Sequence, residues 1–95
     1  MLFVIESRDN VATALKDITP GVQIPLMGAV SGTLTVAEPI PRGHKVALIA
    51  IASGHPVVKH GYPVAIATED IFLGSWVHSH NVVSPRDHTK EVAAI

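Results

Sequence analysis

Short apolar segments separated by Gly, Pro and Asn recur along the chain about every ten residues, a spacing typical of a compact β domain. Residues 33–36 alternate polar and apolar side chains, the period-two pattern of a strand with one buried face. Residues 45–51 are apolar and rich in β-branched side chains, so we expect them to form the central strand. Further strands are predicted at residues 2–5, 22–24, 57–59, 64–67 and 76–82 or 76–83.

A different pattern follows the first predicted strand. Asp9 or Asn10 offers a helix N-cap ahead of residues 11–16, in which Ala12 and Leu15 would face a core. Pro20 ends this segment because a proline disfavours helical geometry at the residue before it. The sequence therefore predicts a mainly β fold with one short helix near residues 10–16.

Length and charge limit the classes of protein to which the chain can belong. With 95 residues it forms one small domain, which we place at residues 1–83, followed by a polar tail at residues 84–95. Charged residues make up 16%, the net charge is −1, and no basic run is present, so nucleic acid is not an expected partner. So low a charge content suggests that part of the surface is covered by another protein.

Two absences narrow the chemistry further. The chain has no cysteine, which excludes disulfides, thiolate metal sites and a cysteine nucleophile. The longest apolar run, residues 46–52, is far shorter than the ~20 residues of a membrane span, and the start lacks the basic region of a signal peptide. We expect a soluble cytoplasmic protein that does not enter a membrane.

Six histidines are the most unusual feature of the composition. On a strand, His78 and His80 would share one face with Trp76, and two imidazoles at that spacing can bind a metal ion or an anion. The alternative is a partly exposed strand whose histidines bond to backbone or water. His44, which opens the predicted central strand, is either a ligand-binding residue or an ordinary turn histidine. The remaining histidines lie in turns or the tail without an evident partner: His55, His60 and His88.

Two lysines accompany apolar segments. Lys45 and Lys59 are each able to bind a carboxylate, and each is also explained by a surface side chain whose stem covers apolar neighbours. No phosphate-binding loop, dinucleotide fingerprint or Ser-His-Asp arrangement can be recognised. A chain of this size without such a set is a poor candidate for a complete enzyme.

Taken together, four ordered motifs resemble the altronate/galactarate dehydratase family. Residues 41–47 (PRGHKVA) are similar to its P-x-G-H-K-V-A segment, and residues 57–61 (VVKHG) to its V-x-K-Y-G turn. Residues 67–71 (ATEDI) and 74–81 (GSWVHSHN) resemble its ending, and residues 9–12 (DNVA) and 17–21 (DITPG) its start. The sequence departs from the pattern at His60, where Tyr is common, and at Ala65, where Gly is common.

The resemblance implies an SAF-type domain with a β-clip fold. In that family the domain precedes a large catalytic domain that dehydrates sugar acids with a divalent metal, usually iron. Some members split the two parts, and the alpha subunit of sulfolactate sulfo-lyase is a small chain of the same kind. Because the sequence stops at Ile95, we expect the split form, in which this chain is a small lyase subunit with a large catalytic partner. The expected substrate is a sugar acid. Whether the chain also forms homo-oligomers is left open.

The resemblance also implies roles for individual residues. His78 and His80 are the candidate catalytic residues and the candidate metal contacts, with most metal ligands expected on the large subunit. His44, Lys45, Lys59 and Asn81 are the candidate substrate-binding residues. Three alternatives stay open: a sulfo-lyase subunit, a non-enzymatic module that binds a sugar acid or carbohydrate, and a structural chaperone-like domain.

Overall fold

The computed structural model describes residues 1–85. Within them, nine short strands form two sheets: β1 (Leu2–Val4), β2 (Val11–Ala14), β3 (Gln23–Gly28), β4 (Thr33–Thr35), β5 (Lys45–Ala47), β6 (Pro56–Lys59), β7 (Tyr62–Ala67), β8 (Trp76–Val77) and β9 (Val82–Val83). The six-stranded sheet has the order β4-β3-β1-β2-β5-β8, and the three-stranded sheet has the order β6-β7-β9. The predicted mainly β fold is therefore confirmed.

Alternating side chains give the large sheet two buried faces in its middle. Along β5, Val46 packs into one core and Ala47 into the other; along β2, Ala12 and Val11 divide in the same way. The first core also contains the buried residues Leu2, Val4, Ala14, Ile18, Leu34, Val36 and Ile40. The second lies against the small sheet and contains Ile51, Val57, Ala67, Ile71 and Val77. β2 and β5 are thus held from both sides, which makes them a rigid base for the segments that follow them.

Two polar residues ahead of β2 attach the small sheet to the large one. Asp9, only 7% exposed, accepts hydrogen bonds from the backbone N–H groups of His60 (3.0 Å) and Gly61 (2.9 Å) at the tip of the β6–β7 hairpin. Asn10 accepts one from Val58 N–H (2.7 Å) and donates one to Pro56 O (3.0 Å). The hairpin is therefore fixed by side chains as well as by core packing.

The helix predicted near residues 10–16 is wrong. Val11–Ala14 is strand β2, which pairs antiparallel with both β1 and β5. Two bonded neighbours and three buried side chains outweigh the weak local preference for helix. Asp9 and Asn10, interpreted above as helix caps, bind the hairpin instead. Residues 1–84 contain no helix.

Three predicted strands differ most from those in the structure. The central strand is only Lys45–Ala47, since Ile49 is 57% exposed and Ile51 forms an isolated bridge to Ile71. The strand predicted at 22–24 continues through Pro25 to Gly28. The strand predicted at 76–83 is two strands, because β8 pairs with β5 in the large sheet and β9 pairs with β7 in the small one. The chain has to turn between them.

Candidate functional site

His44 is held at the end of a tight turn that leads into β5. Its N–H donates to Pro41 O (3.1 Å), and Gly43, with φ 84°, adopts the left-handed conformation that glycine favours at this point of a turn. The turn is tied to β2, because Gly43 N–H donates to Ala14 O (2.8 Å) and Ala14 N–H donates to His44 O (2.9 Å). The ring of His44 therefore projects from a backbone with little freedom to move.

A second turn, residues 78–81, carries the other two histidines. It closes through a hydrogen bond from Asn81 N–H to His78 O (3.0 Å). The buried Asn81 side chain accepts from His78 N–H (3.0 Å) and donates to Trp76 O (2.8 Å). Its amide is thus used to shape the turn, and a role for Asn81 in binding substrate stays a prediction.

The two turns and strand β8 bring four rings together in what we call the ring cluster: His44, Trp76, His78 and His80. The centroid of Trp76 lies 5.4 Å from His44, 5.2 Å from His78 and 5.7 Å from His80, and the His78 ring stacks on the indole at 8°. The centroids of His44 and His78 are 4.9 Å apart in an edge-to-face arrangement. His78 and His80 share the cluster through the turn and the indole, not through a common strand face as the sequence predicted.

A polar bond orders the centre of the ring cluster. The indole Nε1–H of Trp76 donates to Nδ1 of His44 at 3.2 Å. Trp76 is itself fixed at the backbone, where its N–H donates to a carboxylate oxygen of Glu38 (3.0 Å). The rings are therefore positioned by contacts within the domain.

An open cleft of about 470 Å³ lies beside the ring cluster. Lys45, His78 and Ser79 supply polar groups to its lining, together with Ser84. Its other walls are apolar and come from both sheets: Val57, Val64, Ala65, Val77, Val82 and Val83. The cleft thus combines an apolar floor with a few polar groups, as small-molecule sites usually do.

Lys45 lines the cleft, and Lys59 lies close enough to repel its charge. The pKa of Lys45 lies below its ordinary value, mainly because the side chain is partly buried and to a lesser extent because of the charge of Lys59. Within residues 1–85 neither lysine forms an ion pair; the salt bridge found there joins Arg8 to Glu6 (3.6 Å). Two ammonium groups that repel each other, and that pair with no carboxylate of the described residues, favour an anionic ligand.

The ring cluster does not amount to a metal centre by itself. In the part of the chain that the structure describes, no group of three His, Asp or Glu side chains is arranged to hold a metal ion. In the ring cluster, Nδ1 of His44 already accepts the indole bond. His78 and His80 would supply at most two ligands, so a complete metal site is not formed by residues 1–85.

The remaining predicted residues lie away from the ring cluster or outside the described residues. His60 occupies the β6–β7 hairpin tip, with its ring centroid 6.4 Å from that of Tyr62, and His55 is exposed ahead of β6. His88 lies among residues 86–95, outside the described residues. Most of the tail predicted at 84–95 lies there too, so the domain boundary after residue 83 stays a prediction. Sequence reasoning named Trp76 as a neighbour of the histidines but not as a site residue, although it is the ring that all three contact.

Fold and site together define a small β domain that presents a ring cluster beside a cleft lined by Lys45. A family model, the altronate/galactarate dehydratase SAF domain, matches residues 1–85. The chain belongs to this family. The family predicted from the four motifs is confirmed, and the mainly β architecture is that expected of an SAF-type domain.

Individual relatives agree with this assignment. The chain is 42% identical over 77 residues to altronate dehydratase of Escherichia coli and 39% identical over 77 residues to altronate dehydratase of Bacillus subtilis. Each match covers 81% of this chain but only 15% of the relative. The alpha subunit of (2R)-sulfolactate sulfo-lyase of Paracoccus pantotrophus is 40% identical over 53 residues, which are 56% of this chain and 79% of that subunit.

The described residues also bear on the predicted absence of a membrane segment. Residues 1–85 contain no helix long and apolar enough to cross a bilayer.

Proposed function

We propose that this domain is the small SAF subunit of a two-component hydro-lyase that dehydrates a sugar acid such as altronate or galactarate. It helps to form or cover the active site of a separate large catalytic subunit. The observation that carries the proposal is the ring cluster beside the Lys45 cleft, in a chain whose relatives include two altronate dehydratases. That the enzyme works in the cytoplasm stays a prediction.

The charge and lining of the site suit a hydroxylated carboxylate. Lys45 and Lys59 form no ion pair with a carboxylate of residues 1–85, so a substrate carboxylate would relieve their repulsion. Hydroxyl groups on the substrate would find donors and acceptors on His78 and His80, both of which are exposed. In this arrangement the substrate is bound by His44, Lys45 and Lys59. The part of the substrate that reacts is then within reach of His78 and His80.

Dehydration next to a carboxylate requires a base for the α-proton and an acid for the departing hydroxyl group. An imidazole can take either part near neutral pH. We favour positioning of the substrate over direct proton transfer for His78 and His80, because residues 1–85 hold no group of three side chains that could bind the metal. The divalent metal that the family assignment suggests, iron in our prediction, would then be held mainly by the large subunit.

A separate small subunit is supported by one relative and by the surface of the domain. The sulfo-lyase relative named as a subunit matches this chain over 79% of its own length, whereas the dehydratase relatives match over 15% of theirs. Large apolar side chains also lie exposed, among them Phe72 (70%), Ile49 (57%) and Leu73 (53%). Exposed apolar area of this kind is expected where a domain packs against a larger protein.

The sulfo-lyase relative also supports a second candidate function. The same domain would serve as the alpha subunit of a (2R)-sulfolactate sulfo-lyase, which eliminates sulfite in place of water. A sulfonate and a carboxylate are both anions, so the lysines beside the cleft suit either substrate.

The test is to purify the tagged chain from its own host together with whatever binds it stably, and to assay the complex and the isolated chain. We expect the complex to release water from altronate or galactarate and the isolated chain to be inactive. Release of sulfite from sulfolactate would establish the second candidate instead. Turnover by the chain alone, or a stable complex that acts on none of the three substrates, would overturn the proposal.

A further inference from the structure

The bond between Trp76 and His44 determines which nitrogen of His44 carries a proton. An indole Nε1–H can only donate, so the atom that it meets at 3.2 Å, Nδ1 of His44, has to be the unprotonated nitrogen. In a neutral imidazole the proton then lies on Nε2. The contact therefore selects one of the two neutral tautomers of His44.

The rest of the ring cluster holds the His44 ring in this position. Its ring meets Trp76 at 72° and His78 at 63°, so it lies edge-to-face against two neighbours. Rotation of the ring by half a turn would place a carbon where Nδ1 now accepts the indole proton. Steric contact and the hydrogen bond thus favour the same orientation.

The structure leaves Nε2–H of His44 available. No acceptor for it lies within hydrogen-bonding distance among residues 1–85, and the residue is only partly buried. An N–H donor that meets no acceptor among residues 1–85, on a ring whose orientation two neighbours favour, suits an oxygen acceptor of a ligand. It does not suit a metal ion or a proton to be abstracted, because both need an unprotonated nitrogen.

We propose that Trp76 is a positioning residue that fixes His44 as the Nε2–H tautomer, and that His44 acts on the ligand as a hydrogen-bond donor rather than as a base or metal ligand. The tautomer follows from the fold alone. The direction of the donor toward a substrate oxygen rests on the function proposed above, so the two parts can be tested separately.

The first experiment is nitrogen-15 NMR of the histidine rings in the wild-type chain at a pH where they are neutral. We expect Nδ1 of His44 to show the signal of an unprotonated nitrogen and to couple through the hydrogen bond to Nε1 of Trp76. The proposal is overturned if Nδ1 carries the proton. This result does not depend on any enzymatic activity.

The second experiment uses Trp76→Phe, which keeps an aromatic ring but removes the donor. We expect the ratio of the Nε2–H to the Nδ1–H tautomer of His44 to fall about fivefold, the factor that corresponds to a hydrogen bond of about 1 kcal/mol. The ring of His55, which lies outside the cluster, serves as the internal control and should not change. An unchanged His44 tautomer ratio in a folded Trp76→Phe chain would contradict the proposal.

Trp76→Phe removes the hydrogen bond that positions His44. In the assembled enzyme we therefore expect this variant to raise KM by a larger factor than it lowers kcat. If the tautomer changes while KM does not, the His44 donor points away from the substrate, and the ligand part of the proposal fails. The assignment of the tautomer and the lyase function would both survive that result.

Discussion

Asp9 shows how one buried carboxylate can hold two parts of a small domain together. Burial raises its pKa, but hydrogen bonds from the backbone N–H groups of Gly61, Glu6 and His60 outweigh that effect, so the pKa of Asp9 lies below its ordinary value. These donors belong to the segment before β2 and to the tip of the β6–β7 hairpin. The charged form of Asp9 therefore stabilises the junction between the two sheets.

We expect Asp9→Asn to lower the free energy of unfolding by about 2 kcal/mol at neutral pH, because an amide offers one acceptor oxygen and turns an NH2 group toward the remaining donors. Urea unfolding measures the change. Asp70→Asn is the matched control, since Asp70 is exposed and accepts a single backbone bond, from Ser53 N–H (2.9 Å). A variant at Asp9 no less stable than the one at Asp70 would contradict this explanation.

The same carboxylate predicts a pH dependence. A pKa lowered by folding gives stability that is complete above the unfolded value, about 3.9 for Asp, and is lost as pH falls through the folded value. The difference in stability between the wild type and Asp9→Asn should therefore shrink only below about pH 4. A difference that is already lost at pH 6 would show that Asp9 is not the group responsible.

The β6–β7 hairpin illustrates how a turn sets the position of a strand pair. Lys59 pairs with Tyr62, so His60 and Gly61 form a two-residue loop in which both have positive φ, 56° and 76°. Such a loop matches the twist of the flanking strands, and Asn-Gly is the preferred sequence for it. His60 adopts a conformation that costs a residue with a Cβ atom about 1 kcal/mol.

His60→Asn should therefore stabilise the domain by about 0.5–1 kcal/mol, because asparagine tolerates the left-handed conformation better than histidine. The measurement is the midpoint of urea unfolding. His55→Asn, at an exposed turn position without positive φ, is the control and should change stability by less than about 0.5 kcal/mol. A destabilised His60→Asn chain would show that the ring of His60 contributes more than its backbone costs.

Local patterns predicted the β class and most strand positions, but not which strands pair. The alternation of polar and apolar side chains along residues 33–36 was sufficient to predict β4. The helix predicted near residues 10–16 was wrong because the pairing of this segment with β1 and β5 is not visible in local spacing. The turn at residues 78–81 was missed for a related reason: β8 and β9 belong to different sheets. The convergence of His44 and His78 could be anticipated from strand ends, but the Trp76–His44 bond depends on side-chain geometry.

As a whole molecule, the domain holds its ring cluster between segments of both sheets. β5 and β8 place His44 and Trp76 from the large sheet, while β7 and β9 border the cleft from the small one. Anything that loosens the two sheets from each other should therefore disturb the site as well. Asp9 and Asn10, which bind the β6–β7 hairpin to the large sheet, should therefore contribute to the geometry of the cleft.

The role of the ring cluster is tested by comparing kcat and KM of the assembled lyase carrying His78→Ala with those of the enzyme carrying His55→Ala. We expect His78→Ala to lower kcat/KM at least about tenfold. If the ring transfers a proton, kcat should fall by about 10²–10⁴. If the ring positions the substrate, the loss should be smaller and shared between kcat and KM. The His55→Ala enzyme should match the wild type, since His55 is exposed and lies outside the ring cluster. Equal activity of the folded His78→Ala and His55→Ala enzymes would contradict the claim that the ring cluster serves the lyase.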